Sequence, residues 1–98
     1  MTFEFHPDAL DEYQDAASWY EEQRYLLGVE FTQAVEASVV QLLQHPDRYP
    51  PVGGSTRIFR MKRFPYYLFY RYNEAGQHVR IVAVMHHRRR PDYWRERL

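Results

Sequence analysis

His86 and His87 run directly into Arg88-Arg89-Arg90, which sets two imidazoles able to exchange a proton near neutral pH beside three permanent cations. That combination suits proton transfer next to an anion, with histidine as acid or base and guanidinium groups holding the negative charge. Arg60, Lys62, Arg71 and Arg80 supply further cations upstream, and Tyr67 and Phe69 supply ring faces for stacking. Neither His86 nor His87 stands at a recognised ligand spacing from His6, His45 or His78, and cysteine is absent, so no metal and no cofactor is expected. Asp11, Asp15, Glu21 and Glu22 have the appearance of paired carboxylates but fall on the polar side of a helix, where solvation accounts for them.

The charge of the whole chain points to the same half. Residues 1 to 47 carry ten acidic side chains against one basic, Arg24, whereas residues 48 to 98 carry twelve basic against three acidic, so zero net charge conceals a dipolar molecule. A field of one sign over half of a small domain draws ligands of the other, and the expected ligand of the second half is nucleic acid or an acidic protein segment. Ninety-eight residues make one domain, able to bury roughly 60 to 65% of its unfolded surface. With 45% apolar and 17% aromatic residues, the composition is that of a folded chain. No apolar run reaches membrane-spanning length and Met1-Thr2-Phe3-Glu4 does not open as a secretory signal, so no membrane partner and a cytoplasmic location are expected.

These side chains need a scaffold, and the pattern supplies one. Phe3-Glu4-Phe5 reads as a short strand running into a helix with Pro7 at its first position. Ala9, Tyr13, Ala16 and Tyr20, widened by Leu10 and Ala17, form an apolar stripe that ends near Arg24. Gly28 marks the break before a second helix, whose face of Phe31, Val35, Val39 and Leu42 is flanked by Ala34 and Ser38 and stops at His45-Pro46. Residues 46 to 56 read as an irregular loop in which Gly53-Gly54 takes backbone angles closed to other residues. Strands follow at Arg57 to Lys62, Tyr66 to Tyr72 and Val79 to Met85, with a four-residue turn Asn73-Glu74-Ala75-Gly76 between the last two. A helical turn or two over Tyr93 to Leu98 closes the chain. The predicted class is α+β, a helical hairpin on one face of a small antiparallel sheet in the order β-α-α-β-β-β with a short C-terminal tail. Period-two alternation turns Phe59, Met61, Tyr66, Leu68, Tyr70, Ile81, Ala83 and Met85 toward the helices. It turns Arg60, Lys62, Tyr67, Phe69, Arg71, Arg80, Val82, Val84 and His86 toward an open, basic and aromatic face.

Two segments carry a family resemblance. Arg63-Phe64-Pro65-Tyr66-Tyr67-Leu68-Phe69-Tyr70-Arg71 resembles the pattern R-F-P-Y-x-x-x-Y, and Val84-Met85-His86-His87-Arg88-Arg89-Arg90-Pro91 resembles V-x-H-x-R-R-x-P; both belong to the RelE/ParE superfamily of toxins from bacterial type II toxin–antitoxin modules. Pro7-Asp8-Ala9-Leu10-Asp11 and Leu42-Leu43-Gln44-His45-Pro46 are similar to the family's first-helix start and second-helix end. The resemblance implies a toxin neutralised by a cognate antitoxin, with either of two targets. ParE-like members inhibit DNA gyrase, and RelE-like members cleave messenger RNA on the ribosome. For the second activity the resemblance makes His86, Arg60 and Arg88 the catalytic set, with a phosphate to hold and a 2′-hydroxyl to deprotonate. For the first, the open face and the basic end of the chain offer Lys62, Tyr67, Phe69, Arg71, Arg80, Arg89, Arg90 and Trp94 as the target-binding set. Tyr67 stands where RelE-like nucleases place an arginine, and Trp94 near their tail tyrosine, so the chain resembles ParE-like members more closely. A third possibility is an inactive module that serves only to bind its antitoxin.

Overall fold

The computed structural model describes residues 1 to 90 and 92 to 98; Pro91, the end of the second motif and start of the tail, lies outside them. The elements are β1 (Thr2–Phe5), α1 (Pro7–Gln23), α2 (Leu27–Gln44), β2 (Pro51–Gly53), β3 (Thr56–Arg60), β4 (Tyr66–Asn73), β5 (His78–His86) and a 3-10 turn, Tyr93–Arg97. The five strands form one sheet in the order β1-β5-β4-β3-β2. The sheet is mixed, because β1 returns through both helices to lie parallel to β5 while the other pairings are antiparallel. A wholly antiparallel sheet was expected, as was an irregular loop where β2 now pairs with β3. Within that segment Gly53 and Gly54 do take φ of 150° and 54°, a region that excludes most side chains.

Pro7 opens α1, and the His6 ring accepts a hydrogen bond from the backbone N–H of Asp8 at 3.0 Å. The hairpin turns at Arg24 to Leu26, with Leu26 in the left-handed region at φ 67°. Gly28, placed by sequence in the break, lies instead in the first turn of α2. A Cβ there would stand 2.5 Å from the Ala17 carbonyl oxygen, so glycine lets the two helices touch. The Glu21 carboxylate fastens the corner, accepting from the N–H of Leu26 at 2.9 Å and of Gly28 at 3.0 Å. Phe31, Val35, Val39 and Leu42 then bury against Phe59, Leu68, Tyr70, Ile81 and Val84 to form the first core. The buried Tyr70 hydroxyl donates to the Pro46 carbonyl at 2.6 Å and ties the end of α2 to the sheet.

One irregularity changes which residues face where. Phe69 pairs with Ala83 but Tyr70 pairs with Ile81, so Val82 is an extra residue in β5. Past this bulge the alternation shifts by one. Val84 belongs to the core beneath the helices, while Ala83 and Met85 join Ile58, Phe69, Val82 and Trp94 in a second core on the far face. The expected faces of Ala83, Val84, Met85 and His86 are therefore reversed.

Nor is the far face open. The turn Tyr93–Arg97 lies over its middle, with the Trp94 ring 5.0 Å from Phe69 and only 1% of Trp94 exposed. A layer of cations remains around this cover. Arg60, Arg71 and Arg80 lie exposed on that face at the two ends of the strands.

Candidate functional site

Glu12 on α1 organises the end of the sheet at which the histidines lie. Beyond Ile81, β5 keeps β4 on one side but has no strand on the other, because β1 has already turned into α1 and His6 makes the last bridge, donating to the Ile81 carbonyl at 2.8 Å. Glu12 Oε1 accepts from the N–H of Val84 at 3.0 Å, and Arg97 Nη1 donates to the Val82 carbonyl at 2.9 Å, so side chains complete the bulged strand. Arg97 also grips both Glu12 oxygens at 2.9 Å, and Arg89 reaches Oε2 at 3.0 Å. The Arg97 and Glu12 side chains are 11% and 12% exposed, so this is a largely desolvated pair. The Arg89 guanidinium lies 3.6 Å and that of Arg97 4.9 Å from the Tyr93 ring centre. Burial, and then the Glu12 carboxylate, push the Tyr93 phenol upward from its ordinary value.

His86 closes the same end on the helix side. Its ring stands 5.2 Å from Tyr66 and stacks on His87 at 4.8 Å. Consecutive strand residues point to opposite faces, but the strand ends at His86 and frees His87 to fold back, its N–H donating to the Pro65 carbonyl at 2.9 Å. A cleft of about 260 Å³ between α1 and the sheet is lined by Glu12, Asp15, Trp19, Tyr66, His86 and Arg89 among others. Burial first, and then Coulombic interaction with His87 and Arg88, lower the His86 pKa. The backbone N–H of Arg88 donates to His86 Nδ1 at 3.1 Å, which leaves the ring proton on Nε2. In this state His86 offers a donor to the cleft.

The expected catalytic set is divided by this geometry. Arg60 lies over the Tyr67 ring at 5.6 Å, whereas His86 meets Tyr66, the neighbouring residue of β4 and so on the opposite face. Arg88 is exposed on the turn after β5. The expected target-binding set is also spread. Lys62 follows the end of β3 and lines a cleft with Ala34, Ser38 and Gln41 of α2, contrary to its predicted outward direction. Tyr67 is half-buried, and Phe69 and Trp94 are core residues, with no surface to offer while the tail is in place. Arg71 and Arg80 stand opposite each other across β4 and β5, with Arg80 3.5 Å from Glu4. Arg89 is engaged by Glu12, and Arg90 is exposed beside Asp92, Tyr93 and Glu96.

The acidic half thus answers part of the basic half within the molecule. Glu4 takes Arg80, Glu12 takes Arg89 and Arg97, and Glu30 takes Arg24 and Arg63 at 2.8 and 2.7 Å. Those two guanidinium groups hold the Glu30 carboxyl below its usual range. Arg60, Arg71, Arg88 and Arg90 are left exposed to solvent.

With this geometry in place, comparison with known proteins is decisive for the family. The family model described as the ParE toxin of type II toxin–antitoxin system, parDE, matches residues 3–91. The chain belongs to the ParE toxin family. Among solved structures it is similar to one titled chromosomal ParDE TA system from P. aeruginosa, with a TM-score of 0.62 and 15% sequence identity over 88% of this chain and 95% of that one. At that identity the likeness is one of fold. No curated protein matches by sequence.

For a ParE toxin, two contributors escaped the sequence. Glu12 sits one position from the stripe Ala9-Tyr13-Ala16, and its only signal was a carboxylate bordering an apolar face. Trp19, 55% exposed beside the His86 cleft, was signalled by a large ring on the polar side of α1. None of the helices among the described residues is long and apolar enough to cross a membrane.

Proposed function

We propose that this ParE-family chain acts in the cytoplasm as the toxin of a type II module, is neutralised by a cognate antitoxin, and inhibits DNA gyrase by protein contact. The observation that carries the contact mechanism is the placement of Arg60 and His86 on opposite faces of the sheet. Transfer of a proton and stabilisation of a phosphate must converge within a few ångströms of one reacting bond, and these groups do not converge. His86 adds support. Its Nδ1 is engaged by a backbone N–H and its Nε2 carries the proton, so the neutral ring has no free lone pair for a base to use. The target-contacting groups in this reading are the exposed cations Arg60, Arg71, Arg88 and Arg90, with Arg80 held in place by Glu4. Phe69 and Trp94 act from beneath, by fixing the surface that carries them.

The test sets two assays side by side. Purified protein is added to a gyrase supercoiling reaction and to a ribosome programmed with a defined message. Loss of supercoiling with an intact message is the expected result. Cut message with normal supercoiling assigns the messenger RNA activity instead, and silence in both, without growth arrest on induction, leaves an antitoxin-binding module.

A further inference from the structure

Three groups around the His86 cleft are left over once the fold is accounted for. Trp19 stands 55% exposed on its rim, with the Tyr20 ring braced edge-on against it at 5.1 Å, so a large flat surface is held facing solvent. Asp15, four residues earlier on the same side of α1, is exposed and enters none of the ion pairs found among the described residues. The third is the Nε2–H of His86, whose Nδ1 is already taken by the Arg88 N–H. Glu12 differs from these, because Arg89 and Arg97 neutralise it.

Together these groups define a ligand by exclusion. Arg89 on the wall and the His86 donor disfavour a cation, and the Asp15 carboxylate disfavours an anion. What fits is a neutral, flat group that stacks on a ring, donates to Asp15 and accepts from His86. The cleft, at about 260 Å³, is smaller than the roughly 300 to 1,000 Å³ of a site for drug-sized molecules, so only a small ring system enters it. A nucleobase meets these conditions, and the carboxylate chooses among the bases. Its two oxygens accept best from two N–H groups set side by side. Guanine presents such a pair, N1–H and the N2 amino group, with O6 and N7 as acceptors; adenine, cytosine and uracil each present a single donor group.

We infer that the His86 cleft binds the guanine base of a nucleotide. The base stacks on Trp19, donates from N1 and N2 to the Asp15 carboxylate, and accepts the His86 Nε2–H. Sugar and phosphate remain outside the cleft, where Arg88 and Arg89, both exposed, lie on the side of the phosphate. The site is on the helix side of the sheet, away from Arg60, and the inference does not rest on gyrase inhibition.

Titration calorimetry with nucleoside monophosphates, alongside tryptophan fluorescence, tests it. Trp94 is 1% exposed, so quenching by added nucleotide reports Trp19. Guanosine monophosphate is expected to bind at or below roughly millimolar concentration and to quench. Inosine monophosphate, which lacks only the N2 amino group, binds about tenfold more weakly, and adenosine monophosphate more weakly still. Asp15→Asn, at an exposed position that leaves the fold alone, weakens guanosine monophosphate to the level of the adenosine compound. A uridine-rich hexanucleotide with one guanosine separates the two sources of the base. Binding tighter than that of the mononucleotide by about tenfold or more places the guanine within single-stranded RNA, and any weaker binding places it on a free nucleotide. Three results overturn the inference: no heat and no quenching at roughly millimolar nucleotide; equal affinity for all the monophosphates, which leaves unspecific stacking on Trp19; or a preference for guanosine that survives Asp15→Asn.

Discussion

Single residues set the acid–base state and the internal ties of the histidine end. His86 has its pKa lowered in the folded chain, so the unfolded chain takes up a proton first as pH falls. The neutral ring's contribution is complete above the unfolded value near 6.5 and is lost as pH drops through the lower folded value. Urea denaturation should therefore show stability declining below about pH 6.5, and His86→Phe, which keeps the ring, should flatten that part of the profile. Tyr70 makes a simpler case. Tyr70→Phe leaves the buried Pro46 carbonyl without its donor and should cost about 1 to 2 kcal/mol in the same experiment, with the fold retained. Residue identities were readable where a stripe or an alternation contained them, as with Phe31, Val35 and Leu68. Glu12 was not, because its partners Val84, Arg89 and Arg97 are more than seventy positions away and no local pattern records such a distance.

At the scale of elements, the bulge in β5 and the terminal turn depend on each other. Around the bulge, past the end of β1, the Val84 N–H and the Val82 carbonyl have no strand partner, and Glu12 and Arg97 satisfy them, which also holds Trp94 against Phe69. Glu12→Gln keeps the shape but strands the largely buried charge of Arg97, and should destabilise by about 2 to 4 kcal/mol with the tail the first segment to loosen, seen as increased Trp94 solvent quenching. Within the helical hairpin, Gly28→Ala puts a methyl group into the Ala17 carbonyl and forces α1 and α2 apart. A loss of about 1 to 3 kcal/mol in thermal or urea unfolding is expected, against the slight gain that alanine brings to an unconstrained helix position. The helices, the loop glycines and the three main strands were legible because propensity and packing agree there. The bulge was not, since the unbroken apolar run Ile81 to Met85 carries no alternation in which an extra residue would show. The mistaken faces of Ala83 to His86 follow from that one residue.

For the molecule as a whole, the division of charge between the halves is real but is spent in two ways. Part of it folds inward as ion pairs between helices and sheet, and part remains on the surface as Arg60, Arg71, Arg88 and Arg90. The sequence identified the family and the sign of the surface, while the expectation of one open basic face failed because a five-residue turn covers its centre. What remains on that face is a covered apolar middle with exposed cations, Arg60, Arg71 and Arg80, at the ends of its strands, and the proposed target would be held by such exposed charges at several points. Binding of that kind is lost in small steps, whereas catalysis is lost at once. Inhibition of supercoiling by the His86→Phe protein, its fold checked by circular dichroism, measures the difference directly. Inhibition within about twofold of the unaltered chain, with Arg60→Ala and Arg88→Ala each weaker by roughly threefold to thirtyfold, is the predicted result. A collapse of activity by orders of magnitude on replacing His86 alone would contradict the contact mechanism.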